Sequence, residues 1–312
     1  MKKAKSLKVY LIVGRNNPKL YSTKRFKEEA KAMGIKFRVL EVYKFDLVIG
    51  DNGKEVIYYN EKPLPLPDVV IPRYNTSNYA HMVTKFYEDS PVFVVNDSRA
   101  RQIAKDKLSS LQLLNAQNIP VPNSILAKTP LKLDFVEKHL DYPIIVKKGE
   151  GSVGKGIMLT NNRAELEDLI EILEASVDYQ KHNFILQEFI STKRGQDIRV
   201  IVVGGTPIGA MLRSGKEGDY KANYSGGGTV KPIELTPEIE WLAIESAKII
   251  GLEVAGVDLL FDKDGYRVCE VNASAGFEGF EKATNINVPQ EIFKYLQVRV
   301  RPTNVEDSPL EA

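Results

Sequence analysis

The chain has a single cysteine, Cys269, in 312 residues, so no intrachain disulfide can form. That suits a reducing compartment. Its three histidines, His81, His139 and His182, are far apart in the sequence and have no recognisable partners. With one cysteine they offer no His/Cys zinc site and no Ser-His-Asp set. No apolar run is long enough to span a bilayer. The start, Met1-Lys2-Lys3-Ala4-Lys5 followed by Val9 to Gly14, only faintly imitates a signal peptide. Its apolar run is six residues and no small-residue cleavage site follows. It reads as a basic tail leading into a buried strand. An excess of one charge is missing too. Lys plus Arg is 43 and Asp plus Glu is 41, a net +2. That balance argues against a surface that grips nucleic acid or anionic lipid as a whole, and no basic stripe with interleaved aromatics appears.

What remains is the composition of an ordinary folded domain, 43% hydrophobic and 27% charged. At about 150 residues per domain the length predicts two domains or one large one built of subdomains. Lys8 to Val13 is a short apolar run ending at Gly14; a helical pattern from about Ser22 to Met33 and a strand from Lys36 to Val42 follow. That rhythm predicts a parallel α/β unit, with further strands at Val69–Ile71 and Val92–Val95. Pro63 to Pro67 reads as a stiff connector. The turn Gly14-Arg15-Asn16-Asn17-Pro18 lacks the G-x-G-x-x-G spacing, which rejects a nicotinamide-type dinucleotide site. The pattern predicts one helix over 99–118, a strand at Ile144–Lys148, a helix at about 163–175 and a strand at Phe184–Phe189. Two strands joined by Gly204-Gly205 come next, then a helix at Pro237–Ile250. The expected units are 1–98, 99–184 and 185–300, with a polar, disordered tail at 301–312.

Three constellations carry chemistry. Lys147-Lys148-Gly149-Glu150-Gly151-Ser152-Val153-Gly154-Lys155-Gly156 nearly matches a P-loop. Gly156 stands where a Mg-binding hydroxyl belongs, however, and a strand-like run follows where a P-loop opens a helix. It is a hairpin loop, either a phosphate cradle or an ordinary flexible turn. In the second, Gly256–Phe261 and Arg267–Asn272 read as strands joined by a three-residue turn, Lys263-Asp264-Gly265. A turn centred on Asp264 places Asp258 opposite Glu270, with Asn272 on the same face. Opposed carboxylates repel, and a hard cation relieves them. Two carboxylates and an amide oxygen suit Mg²⁺ or Mn²⁺ completed by phosphate oxygens and water; the alternative is a solvent-facing acidic strand pair. In the third, Arg199 and Arg213 end up on adjacent strands, followed by a glycine-rich segment, 214–228, with several charges. Such a segment reads as a lid, and its lysines are either solvated charges or anion-capture groups. The set favours phosphoryl transfer from Mg-ATP.

The sequence resembles the ATP-grasp enzymes, specifically the RimK-like carboxylate–amine ligases, over nearly its whole length. The resemblance rests on Val70-Ile71-Pro72-Arg73, Asp106 to Leu114, Val146-Lys147, Gln187-Glu188-Phe189-Ile190 and Gln196-Asp197-Ile198-Arg199. It continues through Lys216-Glu217-Gly218-Asp219, Ala255-Gly256-Val257-Asp258 and Glu270-Val271-Asn272-Ala273-Ser274. It implies an α/β chain in which a small open parallel-sheet domain precedes an ATP-grasp fold, with ATP clamped between the second and third subdomains. Lys107, Lys147 and the glycine loop (Gly151, Ser152, Gly154) would contact ATP. The backbone at Glu188 and Phe189 would read adenine, Asp197 would serve the ribose, and Lys221 and Asn223 would reach the phosphates. Asp258, Glu270 and Asn272 would ligate Mg²⁺ or Mn²⁺, two ions in all. Arg213 and Arg199 would be catalytic, and Arg73, Asn272 and Ser274 would bind substrate. The implied activity joins L-glutamate, or a similar amino acid, to the C-terminal carboxylate of a protein or peptide through an acyl phosphate. A small-molecule carboxylate acceptor, or a non-catalytic nucleotide-binding regulator, is the alternative. A cytoplasmic homo-oligomer, a tetramer, is expected, with no nucleic-acid or membrane partner. Two residues depart from the motif: Ala275 replaces a usual proline, and Leu212 stands where a neighbour of Arg213 is often acidic. Both put acceptor choice in question.

Overall fold

The structure, a computed structural model, describes residues 6–15, 19–50, 55–74, 77–127, 130–148, 156–174, 184–216, 218–220, 222 and 227–300. The expected tail at 301–312 lies outside them. The first unit is a parallel sheet in the spatial order Lys36–Glu41, Lys8–Val13, Val69–Arg73, Phe93–Val94. Strand Lys8–Val13 is buried along nearly its whole length, as a central parallel strand with both faces covered must be. Helices Tyr21–Ala32 and Asn78–Glu88 flank this sheet in the chain. A small antiparallel sheet of Phe45–Ile49, Glu55–Tyr59 and Lys62–Pro63 is inserted between its second and third strands. Pro63 ends that sheet's short third strand, so the stiff connector begins one residue inside an element.

The middle sheet is antiparallel, ordered Ile157–Thr160, Ile144–Lys148, Phe184–Glu188, Ser124–Ala127. The glycine-rich loop therefore joins two antiparallel neighbours, as a hairpin does; the loop itself, 149–155, is outside the described residues. Because Phe184–Glu188 pairs with two strands of this sheet, the unit runs past the expected boundary at 184/185.

The third sheet is antiparallel and five-stranded: Thr229–Ile233, Thr206–Ser214, Gln196–Val203, Val254–Asp262, Gly265–Asn272. Gly204 and Gly205, both at positive φ (58° and 78°), make the two-residue turn between its two central-sequence strands. Period two splits its strands between two cores. Val200, Val202 and Leu212 pack under the helix Pro237–Ile250. Ile201, Val203 and Met211 turn to the other face and join Val9, Leu11, Phe26, Phe280 and Phe293 of the chain's two ends. The sheet is thus the common wall between the first unit and the covering helix. That helix starts where Thr236 caps Ile239 N–H and Pro237 fixes φ, and ends at Gly251 with φ 88°.

The single helix expected over 99–118 is two helices, Ser98–Lys105 and Lys107–Ala116. Asp106, extended at φ −82° and ψ 103°, ends the first, and its carboxylate accepts from Leu108 and Ser109 N–H to start the second. Ala100, Ala104 and Leu114 put both helices in the core of the five-stranded sheet rather than in that of the middle sheet. The break matters because it makes Lys107 a first-turn residue aimed at the sheet's edge.

Candidate nucleotide and metal site

The register of the five-stranded sheet assembles the site on one face. Asp197 pairs across strands with Arg213, Arg199 with Asp258, and Asp258 with Glu270. Arg199 Nε and Nη2 donate to the two oxygens of Asp258, each at 2.7 Å. Arg213 Nε and Nη2 donate to the two oxygens of Asp197, each at 2.6 Å, and Nη2 also lies 2.9 Å from Asp258 Oδ2. Asn272 Nδ2 approaches the same Asp258 oxygen at 3.4 Å. Lys107 Nζ donates to Glu270 Oε1. Both fork pairs are fixed twice, by strand register and by bidentate geometry, so the guanidinium planes have little freedom.

Burial sets the electrostatics. It pushes the Asp258 carboxyl up, but Arg199 and Arg213 outweigh it and hold the group below its usual range. Burial dominates at Asp197 and raises it to about 6 against the pull of Arg213. Arg213 itself is held more firmly protonated than usual: burial opposes this, and Asp258 and Asp197 overcome it.

The opposed carboxylates fall where the sequence places them, but by a different route. The turn has two residues, Lys263 and Asp264, between paired Asp262 and Gly265, not three. Alone, that shift would move Glu270 off Asp258. A β-bulge at Cys269, the extra residue between Val268 and Glu270, restores the pairing. Cys269 is half-buried beside Lys147, whose Nζ lies 4.0 Å from its sulfur, and desolvation pushes the thiol up.

At the seam with the middle sheet, Lys147 Nζ donates to Gln187 Oε1 at 2.5 Å, and Gln187 Nε2 donates to Ser124 Oγ at 2.8 Å. Glu188 accepts from Asn123 N–H at 2.8 Å and from Arg267 Nη1. Phe189 stacks under Arg194 at 5.9 Å. The seam therefore presents a cation beside the sheet and, at Glu188 and Phe189, the chain leaving its last paired strand. The loop residues Gly151, Ser152 and Gly154 and the lid residues Lys221 and Asn223 lie outside the described residues.

The first unit grips the segment after Asn272. Arg73 Nη2 donates to the carbonyls of Ser274 (3.3 Å) and Ala275 (2.9 Å), with its guanidinium over the rings of Phe26 and Phe277. Two more gripping side chains went unread in the sequence. Arg101 is 4% exposed and donates to Pro72 and Tyr74 carbonyls and to Ser274 Oγ. Asn96, 2% exposed, donates to Val254 and Ala273 carbonyls and accepts from the N–H groups of Glu253 and Val254. Arg101 sits on the buried side of its helix with Ala100 and Ala104, a placement that charge alone assigns to solvent. For Asn96 the sequence carries no signal; only the tertiary fold supplies its four partners.

The donor set passes a chemical test for a divalent cation. Among the described residues no three His, Cys, Asp or Glu side chains form a metal cluster. What the sheet brings together is Asp258, Glu270 and the amide of Asn272, all oxygen donors, the set a hard ion completed by phosphate and water prefers.

Comparison with known proteins agrees with this layout. A family model described as the RimK PreATP-grasp domain matches residues 8–100, and one described as the RimK-like ATP-grasp domain matches residues 104–296. A protein of Legionella pneumophila (strain Corby) named "Probable alpha-L-glutamate ligase" is 36% identical over 289 residues, 92% of this chain and 94% of that one. One of the same name from Thioalkalivibrio sulfidiphilus is 37% identical over 287 residues, 91% and 94%. Among solved structures, the ATP-grasp ligase PsnB with a phosphomimetic variant of its minimal precursor, Mg and ADP superposes with a TM-score of 0.73 at 22% identity. It covers 94% of this chain and 99% of that one. The macrocyclase MdnC with precursor peptide MdnA, from Microcystis aeruginosa MRC, gives 0.69 at 16% identity, covering 92% and 99%. The chain belongs to the RimK-like ATP-grasp family and is an ATP-dependent acid–amino-acid ligase.

Proposed function

We propose that this ligase joins the amine of L-glutamate, or of a similar amino acid, to the C-terminal carboxylate of a protein or peptide. The acceptor carboxylate attacks the γ-phosphate of ATP, giving ADP and an acyl phosphate. The amine then attacks the acyl carbon, losing a proton, and phosphate leaves. The observation that carries the reading is Asp258, forked by Arg199 and touched by Arg213. It fixes two guanidiniums, Arg199 and Arg213, beside the metal-ligand set, where negative charge develops on the acyl phosphate and the tetrahedral intermediate. Asp197 keeps Arg213 in that aim. The glutamate assignment draws on the relatives' names, and the peptide acceptor on the peptide-bound neighbours.

The remaining roles follow the layout. Asp258, Glu270 and Asn272 would hold Mg²⁺ or Mn²⁺, two ions in all; when bound, the metal neutralises phosphate charge and polarises the γ-phosphoryl group. Lys107 and Lys147 would meet phosphates, the backbone at Glu188 and Phe189 the adenine, and Asp197 the nucleotide side of the cleft. Gly151, Ser152, Gly154, Lys221 and Asn223 would complete the nucleotide's contacts. Arg73 and Ser274 would line the substrate end. The working form is a cytoplasmic homo-oligomer, a tetramer; among the described residues no helix is long and apolar enough to cross a membrane. The test is ADP release from ATP and Mg²⁺ that requires both glutamate and an acceptor peptide, with the peptide gaining glutamyl mass. Glu270→Gln lowers turnover by about 100-fold or more, with an unchanged circular dichroism spectrum. Turnover on small carboxylates alone would refute the peptide assignment, and an undiminished Glu270→Gln would refute the metal assignment.

A further inference from the structure

Every carboxylate of the proposed metal-ligand set carries a cation in the structure. Asp258 is forked by Arg199 and touched by Arg213, and Glu270 is taken by Lys107. The Lys107–Glu270 pair is shielded: the two side chains are 17% and 32% exposed. The carboxylates of the cluster are Asp197, Asp258 and Glu270. Against them stand Arg199, Arg213, Lys107 and Lys147, the last paired with the neutral amide of Gln187. Among the described residues the cluster therefore holds one positive charge in excess. A bare divalent cation entering it meets net repulsion and must also displace an ammonium from its ligand. A polyanionic nucleotide reverses both terms: it attracts the metal and offers the ammonium a better partner.

We infer that Lys107 occupies the place of the divalent cation on Glu270 in the free enzyme, so that metal enters with the nucleotide and not ahead of it. Lys107 is then a positioning residue as well as a phosphate contact. It keeps Glu270 aimed while the site is empty, and it suppresses binding of metal alone. Asp258 cannot supply the same control, because two rigid guanidiniums hold it from the sheet itself. Lys107 instead reaches in from the first turn of a separate helix and can leave without disturbing the strands. The inference rests on the ligase reading above.

The experiment titrates Mn²⁺ into nucleotide-free protein by electron paramagnetic resonance, using the full chain, Lys107→Met and Lys107→Arg. Without nucleotide, Lys107→Met binds Mn²⁺ about tenfold more tightly than wild type, while Lys107→Arg, which keeps the charge, stays near wild type. The gain in Mn²⁺ affinity produced by a non-hydrolysable ATP analogue is large in wild type and shrinks in Lys107→Met. Equal or weaker Mn²⁺ binding by Lys107→Met would overturn the inference, as would tightening in Lys107→Arg to the same degree. Glu270→Gln separates this failure from that of the ligase reading. If it binds Mn²⁺ with the analogue as wild type does, Glu270 is not a ligand, and the metal assignment falls before the question of Lys107 arises.

Discussion

Gly256 offers a test of how tightly the segment after Asn272 is set. It lies on the strand Val254–Asp262, opposite Asn272, and its φ is not in the left-handed region, so alanine is acceptable to the backbone there. The obstacle is space. A Cβ at Gly256 stands 2.4 Å from Ala275 Cβ, with Ile201 Cδ1 at 3.6 Å. Carbon atoms settle at about 3.5–4.0 Å, so the substitution must open a gap of about 1 Å. The segment cannot drift freely to supply it. Ala273 and Ala275 carbonyls and Ser274 Oγ are held by Asn96, Arg73 and Arg101, and Arg199 Nη1 reaches Gly276 O at 3.4 Å. Overpacking of this kind costs about 1–3 kcal/mol. Displacing the backbone beside Asn272, a proposed metal ligand, by about 1 Å costs about 100-fold in turnover. Gly256→Ala should therefore melt several degrees lower and lose most of its ADP release. The companion change Ala275→Gly should restore both, because the nearest atom of residue 275 is then its Cα, at 3.8 Å, an ordinary contact. Thermal denaturation and steady-state ADP release on the two single variants and the double variant decide the matter. If Gly256→Ala matches wild type, or if the double variant is no better than Gly256→Ala, the steric account is wrong.

Two other expectations follow from buried polar groups. Asp197, raised to about 6 from 3.8, is ionised at neutral pH and gains a proton as pH falls through about 6. Because the folded value lies above the unfolded one, its share of stability is present below 3.8 and lost as pH rises through about 6, the reverse of an ordinary paired carboxylate. Turnover and this share of stability therefore part company: turnover falls along an acid limb near 6 as Arg213 loses one of its two anions. Asp197→Asn should be slow throughout and lack that limb in a kcat profile; a limb that persists in the variant would assign it elsewhere. Asn96→Ala strips partners from two carbonyls and two N–H groups at once, so it should destabilise by about 3 kcal/mol, read by urea unfolding. A loss below about 1 kcal/mol would mean that the grip on Ala273 and Val254 is dispensable.

Local rules made much of the fold legible. The first strand, its helix and the return strand were marked by an apolar run, a helical period and Gly34. The turn at Gly204-Gly205 needed only two residues that tolerate positive φ. The inserted sheet, by contrast, was overlooked. Yet Phe45–Ile49 and Glu55–Tyr59 flank Asp51-Asn52-Gly53, a hairpin signal of the ordinary kind. The helix break at Asp106 was equally readable, since an aspartate three residues before a serine inside a helical pattern can cap as well as continue it. The hairpin that opposes Asp258 and Glu270 is a different case. The correct opposition of Asp258 and Glu270 came from a turn counted one residue too long and a bulge not foreseen, and the two errors cancelled. A sequence sum cannot detect a bulge, because nothing local marks Cys269 as the residue the partner strand will skip.

The two departures from the family motif separate once the register is known. Leu212 lies between Met211 and Arg213 on one strand, so period two sends it to the opposite face. There it is 7% exposed, in the core with Ile198, Val200 and Leu242 under the covering helix. It does not face Arg213's anions, and an acidic residue there would have to bury a charge among aliphatic groups. The expectation that Leu212 puts acceptor choice in question is therefore corrected by the alternation of its own strand, which turns it away from Arg213's anions. Ala275 is placed differently. Its carbonyl is held by Arg73, its side chain packs against the core that Phe26 and Phe277 share, and its Cβ faces the one strand position where glycine leaves room. We propose that acceptor choice is read along 273–276 and by the side chains that grip it, and not on the inward face of the strand that carries Arg213.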